Sequence, residues 1–243
     1  MKGKPFYRIA LFGLLGFALV LPARQGIAQQ KRGEGRRWTE AFGEEDCVFT
    51  SRGNHPYFVL VPAYFLIYEG LEGRDTVRLT VTVLPDTQVL GSVTTRVIEE
   101  RETRNYALTE VSRNFFALCA GTNSLFYFGE DVDMYKDGKV ISHEGSWRAY
   151  AGGAKPGIML PGTILVGSRY YQEIAPGAAM DRAEILSDWE RVRTPAGTFE
   201  NCLKVEETTP LEPGHKEYKY YAPGIGLVRD GNLLLTCHGF ITK

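Results

Sequence analysis

The chain has 243 residues, with 28 Lys and Arg against 29 Asp and Glu, a formal charge of −1 and 44% hydrophobic residues. That balance excludes a disordered polyelectrolyte and removes any electrostatic drive toward nucleic acid, whose binding rests on neutralising phosphates. The length suffices for one sizeable core.

Lys2, Lys4 and Arg8 precede an apolar run at residues 9–21, which Pro22 breaks before the small residues Gly26 and Ala28. This is the pattern of an export signal over residues 1–28, cleaved before Gln29. The 13 residues of the run fall short of the roughly 20 that a spanning helix needs. No Cys lies near the cleavage point, which disfavours lipidation. Cleavage removes Lys2, Lys4, Arg8 and Arg24 and leaves 24 basic against 29 acidic residues, a formal charge of −5. No later apolar run is long enough to span a bilayer, so the mature chain is expected to be soluble and exported, periplasmic or extracellular.

Residues 29–46 are polar and show no period of 2 or 3.6, which reads as a flexible linker before a single β-rich domain at 47–243. In the domain, Val77, Leu79, Val81 and Val83 alternate with Arg78, Thr80 and Thr82, a half-buried strand that Pro85-Asp86 is expected to end. Residues 89–103 continue as a strand whose far end, Glu99-Glu100-Arg101, reads as a solvated edge. Residues 103–119 fit a strand better than a helix. Asp137-Gly138, between Met134-Tyr135 and Val140-Ile141, predicts a type I′ hairpin, because both central residues need positive φ. Residues 151–167, rich in Gly and Pro, read as a long loop or strap.

Strands resume at 168–174 and 183–194, and Pro195-Ala196-Gly197 makes a turn. Phe199, Leu203 and Val205 then share one face; Glu200, Cys202, Lys204 and Glu206 share the other. After a loop at 210–215, residues 217–221 form a strand that Pro223-Gly224 bends or bulges into 225–228. Asp230-Gly231 predicts a second type I′ hairpin leading to 233–237. No stretch outside the export signal carries a convincing helical period. The expected fold is all-β: a single antiparallel β-barrel, half-barrel or sandwich built from meander hairpins.

Several segments resemble, in order, a group of exported bacterial β-rich proteins of unknown function. They include Asn54-His55-Pro56-Tyr57-Phe58, Tyr68-Glu69-Gly70, Glu144-Gly145-Ser146-Trp147, Thr194 to Cys202, and Tyr220-Tyr221-Ala222-Pro223-Gly224-Ile225-Gly226-Leu227-Val228. The resemblance spans nearly the whole mature chain and implies export and a β-rich fold. It brings no catalytic residue. Val61-Pro62-Ala63-Tyr64-Phe65 and residues 115–125 depart from the usual pattern, which touches local turns only.

Cys47, Cys119, Cys202 and Cys237 all survive cleavage. An even count in an oxidising compartment permits two disulfides in three connectivities, and Cys202 alternatively reads as a buried thiol in a strand. Their spacing contains no metal or redox motif. Glu144, Trp147 and Lys155 flank the Gly-rich strap and, with Tyr171, are candidates to line a ligand cleft. The competing reading is a core Trp147 among surface charges. Asp131 and Asp133, in the acidic stretch that runs from Glu130 to Asp137, are weak calcium candidates, though solvated strand charges explain them more simply.

No nucleophile elbow, P-loop or dinucleotide fingerprint is present, and no cofactor is implied. The leading expectation is therefore a non-enzymatic envelope or secreted protein that binds a hydrophobic or amphipathic ligand, such as a lipid, or another envelope component. The alternatives are a hydrolase with a site near Glu144, Trp147 and Lys155, and a structural or adhesive module.

Overall fold

A computed structural model describes residues 37–242; the expected export signal and residues 29–36 lie outside them. A 3-10 turn at Glu44–Asp46 precedes eighteen strands. These are β1 (Phe49–Thr50), β2 (Gly53–His55), β3 (Phe58–Leu60), β4 (Tyr64–Glu72), β5 (Asp75–Leu90), β6 (Val93–Arg104), β7 (Ala107–Cys119), β8 (Leu125–Lys136) and β9 (Lys139–Ser142). There follow β10 (Trp147–Arg148), β11 (Lys155–Leu160), β12 (Arg169–Tyr171), β13 (Glu173–Ile174), β14 (Arg182–Thr194), β15 (Gly197–Thr208), β16 (Glu217–Ala222), β17 (Gly226–Asp230) and β18 (Leu233–Phe240).

The main sheet runs β12-β14-β15-β16-β17-β18-β4-β5-β6-β7-β8-β11-β13 and is antiparallel throughout. Two meanders, β4 to β8 and β14 to β18, are joined where β18 pairs with β4. The first and last strands of this order, β12 and β13, are separated in the chain only by Gln172. The sheet therefore curls almost into a closed barrel, which removes most of the edge that an open sheet would expose.

At the seam the backbone of Tyr171 and Gln172 lies against β11 so closely that a Cβ on Gly157 would fall 2.5 Å from the Gln172 carbonyl oxygen and 2.6 Å from that of Tyr171. Only glycine fits there.

The alternation of Val77, Leu79, Val81 and Val83 buries all four in the barrel interior. Their strand does not end at Pro85-Asp86. β5 runs on to Leu90 through a register shift between Val83 and Thr87. The guanidinium of buried Arg96 collects the carbonyls freed there, donating to Pro85 at 2.6 Å and Asp86 at 3.1 Å. Burying a charged group requires such partners.

The expected hairpin at Asp137-Gly138 forms with both residues at positive φ, 52° and 74°. The second expected hairpin is shifted by one residue. Asp230 pairs with Leu233, so the two-residue loop is Gly231-Asn232, and of these only Gly231 has positive φ. Pro223-Gly224 does not bend one strand; it turns the chain between antiparallel β16 and β17. The region expected to be a strap contributes β11 to the main sheet.

Part of the expected linker is tied down. Thr39 exchanges backbone hydrogen bonds with Arg169 and Tyr171, and the Trp38 ring lies beneath the guanidinium groups of Arg169 (4.0 Å) and Arg182 (4.6 Å). Phe42 packs edge-on against Phe126. Cys47 and Cys119 form a disulfide, while Cys202 is a buried free thiol and Cys237 an exposed one. The four cysteines thus make one bridge.

Candidate functional site

The barrel interior is built in tiers, which follow from strand register. Reading along β6, Ile98, Glu100, Glu102 and Arg104 face inward opposite Val83, Val81, Leu79 and Val77 of β5. Across β7 and β8 the same rows continue: Asn114 and Glu130 beside Ile98, Ser112 and Val132 beside Glu100, Glu110 beside Glu102. From the opposite wall, β16 presents Tyr221, Lys219 and Glu217, β15 presents Leu203, Val205 and Glu207, and β17 presents Asp230. Thus Glu100, from the stretch Glu99-Glu100-Arg101 expected to be a solvated edge, turns inward together with Glu102 just beyond it, each 3% exposed.

At one end the interior is apolar. A cavity of about 30 Å³ is walled by Leu66, Val81, Val83, Ile98, Phe116 and Leu227 among others, and Tyr68, Tyr221 and Glu100 also line it. The hairpin of β2 and β3 lies over it, contributing Phe58 and Val59. This hairpin is a separate two-stranded sheet. Few polar contacts hold it: Gly224 N–H to the Pro56 carbonyl at 2.7 Å, the Tyr57 hydroxyl to Asn201 at 3.4 Å, and the His55 ring.

His55 is 1% exposed. Its Nε2 lies 3.0 Å from the Pro161 carbonyl, and its Nδ1 3.1 Å from the Tyr57 backbone N–H. A carbonyl only accepts and an amide N–H only donates, so the ring is neutral with its proton on Nε2. Burial pulls its pKa down, opposed by the Pro161 bond.

The middle tier is polar and buried. The Lys219 ammonium stands 2.8 Å from Glu207 and 3.8 Å from Asp230. The other Glu207 oxygen accepts from Gln172 Nε2 at 2.9 Å, which reaches back to the barrel seam. Burial alone would lower the Lys219 pKa; Asp230, Glu207 and Glu217 reverse that and raise it. Burial raises the Asp230 carboxyl well above its ordinary range; Lys219 opposes this, and Glu217, Glu207 and Glu100 add to the rise. Burial likewise raises Glu173 well, with Asp181, Glu130 and Glu207 adding to it against the Asp181 backbone N–H. Burial and neighbouring carboxyls thus favour the neutral forms of Asp230 and Glu173.

Three tyrosines complete this tier. The Tyr68 hydroxyl donates to the Leu227 carbonyl at 2.8 Å. Those of Tyr170 and Tyr221 are buried without a hydrogen-bond partner among the described residues. The far tier is a charged clamp, in which Arg104 pairs with Glu72 and, at 3.0 Å, with Glu102.

The residues singled out from the sequence lie elsewhere. Trp147 is 5% exposed and stands edge-on to Tyr127 at 5.2 Å, a core anchor. Glu144 and Lys155 are exposed, on a turn and on β11. Tyr171 meets Trp38 at 6.5 Å on the outer side of the seam. No hydrogen bond or ion pair joins these four to one another among the described residues. Asp131 is held by Arg148, and Asp133 by Arg113 and His143. The described residues contain no group of three or more His, Cys, Asp or Glu placed to hold a metal ion.

The sequence reading missed the interior tier because Glu100, Glu102, Glu207, Glu217, Lys219 and Asp230 look like surface charges in strands. One signal was available: Glu100 and Glu102 share the parity of Ile98, an apolar position.

No family model matches, and no curated protein matches. A solved structure described as "a putative lipoprotein from Parabacteroides distasonis ATCC 8503" is similar at 13% identity, covering 77% of this chain and 100% of that one, with a TM-score of 0.40.

Proposed function

We propose that the protein is an exported, non-enzymatic barrel that takes the apolar part of an amphipathic molecule into the end covered by the β2–β3 hairpin. The observation that carries this reading is the apolar cavity within the barrel, lined almost wholly by apolar side chains, with Tyr221 and Glu100 also in its wall. A pocket with apolar walls and a few polar groups at one end is the usual form of a small-molecule site.

At about 30 Å³ the cavity is a closed form, far below the roughly 300–1,000 Å³ of an occupied pocket. Filling it requires Phe58 and Val59 to withdraw, a motion that breaks no strand pairing with the main sheet, because their hairpin is a separate two-stranded sheet. The outer wall is of a different character. Arg78 pairs with Glu69, Arg191 with Glu200, and Lys216 with Glu206, all on outward faces. A lipid-facing wall would present an apolar band instead. Among the described residues no helix is long and apolar enough to cross a membrane.

The Cys47–Cys119 disulfide supports export, since such bridges persist in oxidising compartments. Native mass spectrometry of the protein purified from its exported fraction tests the reading. An amphiphile bound at one per chain is expected. A chain carrying none, even after incubation with a lipid extract, would contradict it.

A further inference from the structure

His55 ties the β2–β3 hairpin to the barrel wall beneath it, and it does so as a neutral ring. Its Nε2–H donates across to the carbonyl of Pro161, just past β11, at 3.0 Å, while Nδ1 accepts from the Tyr57 N–H within the hairpin at 3.1 Å. The elements packed on the hairpin are largely uncharged where they touch it. From β7 come Leu118, close against Gly53, and Phe116, 5.6 Å from the Phe58 ring. The turn between β16 and β17 gives the Gly224 N–H to Pro56. Ionisable groups stand at the hairpin's margins: Arg52 before β2, Arg96 of β6, which donates to the Ser51 carbonyl at 2.9 Å, and Tyr57 beside Asp188 and Cys202. None of them acts on His55, whose pKa burial lowers against the Pro161 bond.

Resting on the ligand-binding reading above, we infer that His55 is an acid-sensitive latch on that same site. A proton added at Nδ1 sets one N–H against another, the Tyr57 amide, and leaves a charged ring out of water with one carbonyl to answer it. A buried charge so poorly partnered is costly, and the ring regains water by leaving Pro161. The hairpin then lifts Phe58 and Val59 off the cavity, and the amphiphile exchanges faster in mild acid. By linkage, a group whose folded pKa lies below its unfolded value stabilises the closed form above about 6.5 and withdraws that support as pH falls. Asp230 and Glu173, whose pKa values are raised, act in the opposite sense and cannot cause opening in acid.

Stopped-flow release of N-phenyl-1-naphthylamine, an apolar dye that stays neutral between pH 5.5 and 7.5, tests this on the whole mature protein. The signal counted is the part absent in Val83→Phe, which fills the cavity. Release should be about tenfold faster at pH 5.5 than at pH 7.5, the change expected when opening exposes a His of ordinary pKa. His55→Gln keeps an N–H toward Pro161, and His55→Asn keeps an oxygen toward the Tyr57 N–H; neither takes the proton, and each should release at one rate at both pH values. In the wild-type protein the extra opening in acid should be confined to residues 53–60 in hydrogen exchange corrected for the intrinsic rate. Equal wild-type release at the two pH values overturns the latch and leaves the ligand reading standing. Acid acceleration that persists in the folded variants, or opening shared equally by β5 and β6, overturns it too. A wild-type protein that binds no dye at either pH removes the ligand reading and the latch on it together.

Discussion

Lys219 and Glu207 meet at 2.8 Å on adjacent strands inside the barrel, and Lys219 has no surface in water. The pair is the electrostatic keystone of the interior, because the same ammonium also answers Asp230. Lys219→Met should destabilise the fold by about 3–5 kcal/mol, since it leaves buried carboxyls without their cation. The loss should be smallest in acid, where those carboxyls are protonated. Urea unfolding followed by tryptophan fluorescence at two pH values measures both effects.

The pH dependence of the wild-type protein should slope in two directions. Asp230 and Glu173 have folded pKa values raised above their unfolded ones. Their contribution is complete below the unfolded values of about 4 and is lost as pH rises through the folded values. His55 is shifted the other way: its contribution is complete above about 6.5 and is lost as pH falls through its lowered folded value. Glu173→Gln should flatten the alkaline-side loss, because an amide oxygen can still accept the Asp181 N–H at 2.7 Å. Hydrogen exchange should show residues 53–60 opening more readily at pH 5.5 than at pH 7.5 if His55 holds the hairpin as a neutral ring.

At the seam, Gly157→Ala should weaken closure, because the added methyl meets fixed backbone and not a movable side chain. The expected cost is about 1–3 kcal/mol, with faster exchange at β11 and β13 than at β5 and β6. An unchanged midpoint and exchange pattern would show that the seam yields without cost.

The disulfide closes a span of 72 residues. By loop-closure entropy, Cys119→Ser should cost up to about 4 kcal/mol. In the wild-type protein a thiol reagent should label Cys237 in the native state. Cys202, buried and with its pKa pushed up to about 11, should react only after unfolding.

Much of the fold was legible from local chemistry. The valine and leucine alternation of β5 and the paired positive φ demand of Asp137-Gly138 each specify one answer, and the structure has it. The interior site was not legible, for a physical reason. Asp230 beside Gly231 is a sufficient hairpin signal, so the sequence offers no need for a further role; yet the loop sits one residue later and turns the Asp230 carboxyl inward to Lys219. Likewise Glu100 and Lys219 follow strand parity into the interior, but a charge in a strand is ordinarily a surface residue. Lys219 and Asp230 meet as register partners of β16 and β17, but only the closing of the sheet, through the β18–β4 pairing of the chain's two halves, brings Glu100 of the other meander to the same interior.

Uptake of an amphiphile requires the apolar end of the barrel to open. Fluorescence of the apolar dye N-phenyl-1-naphthylamine tests it most directly, titrated into wild-type protein and into Val83→Phe of verified fold. A saturable rise in emission at one site per wild-type chain is expected, with no such rise in the cavity-filled variant. Equal emission from the two proteins, or none from the wild type, would contradict it.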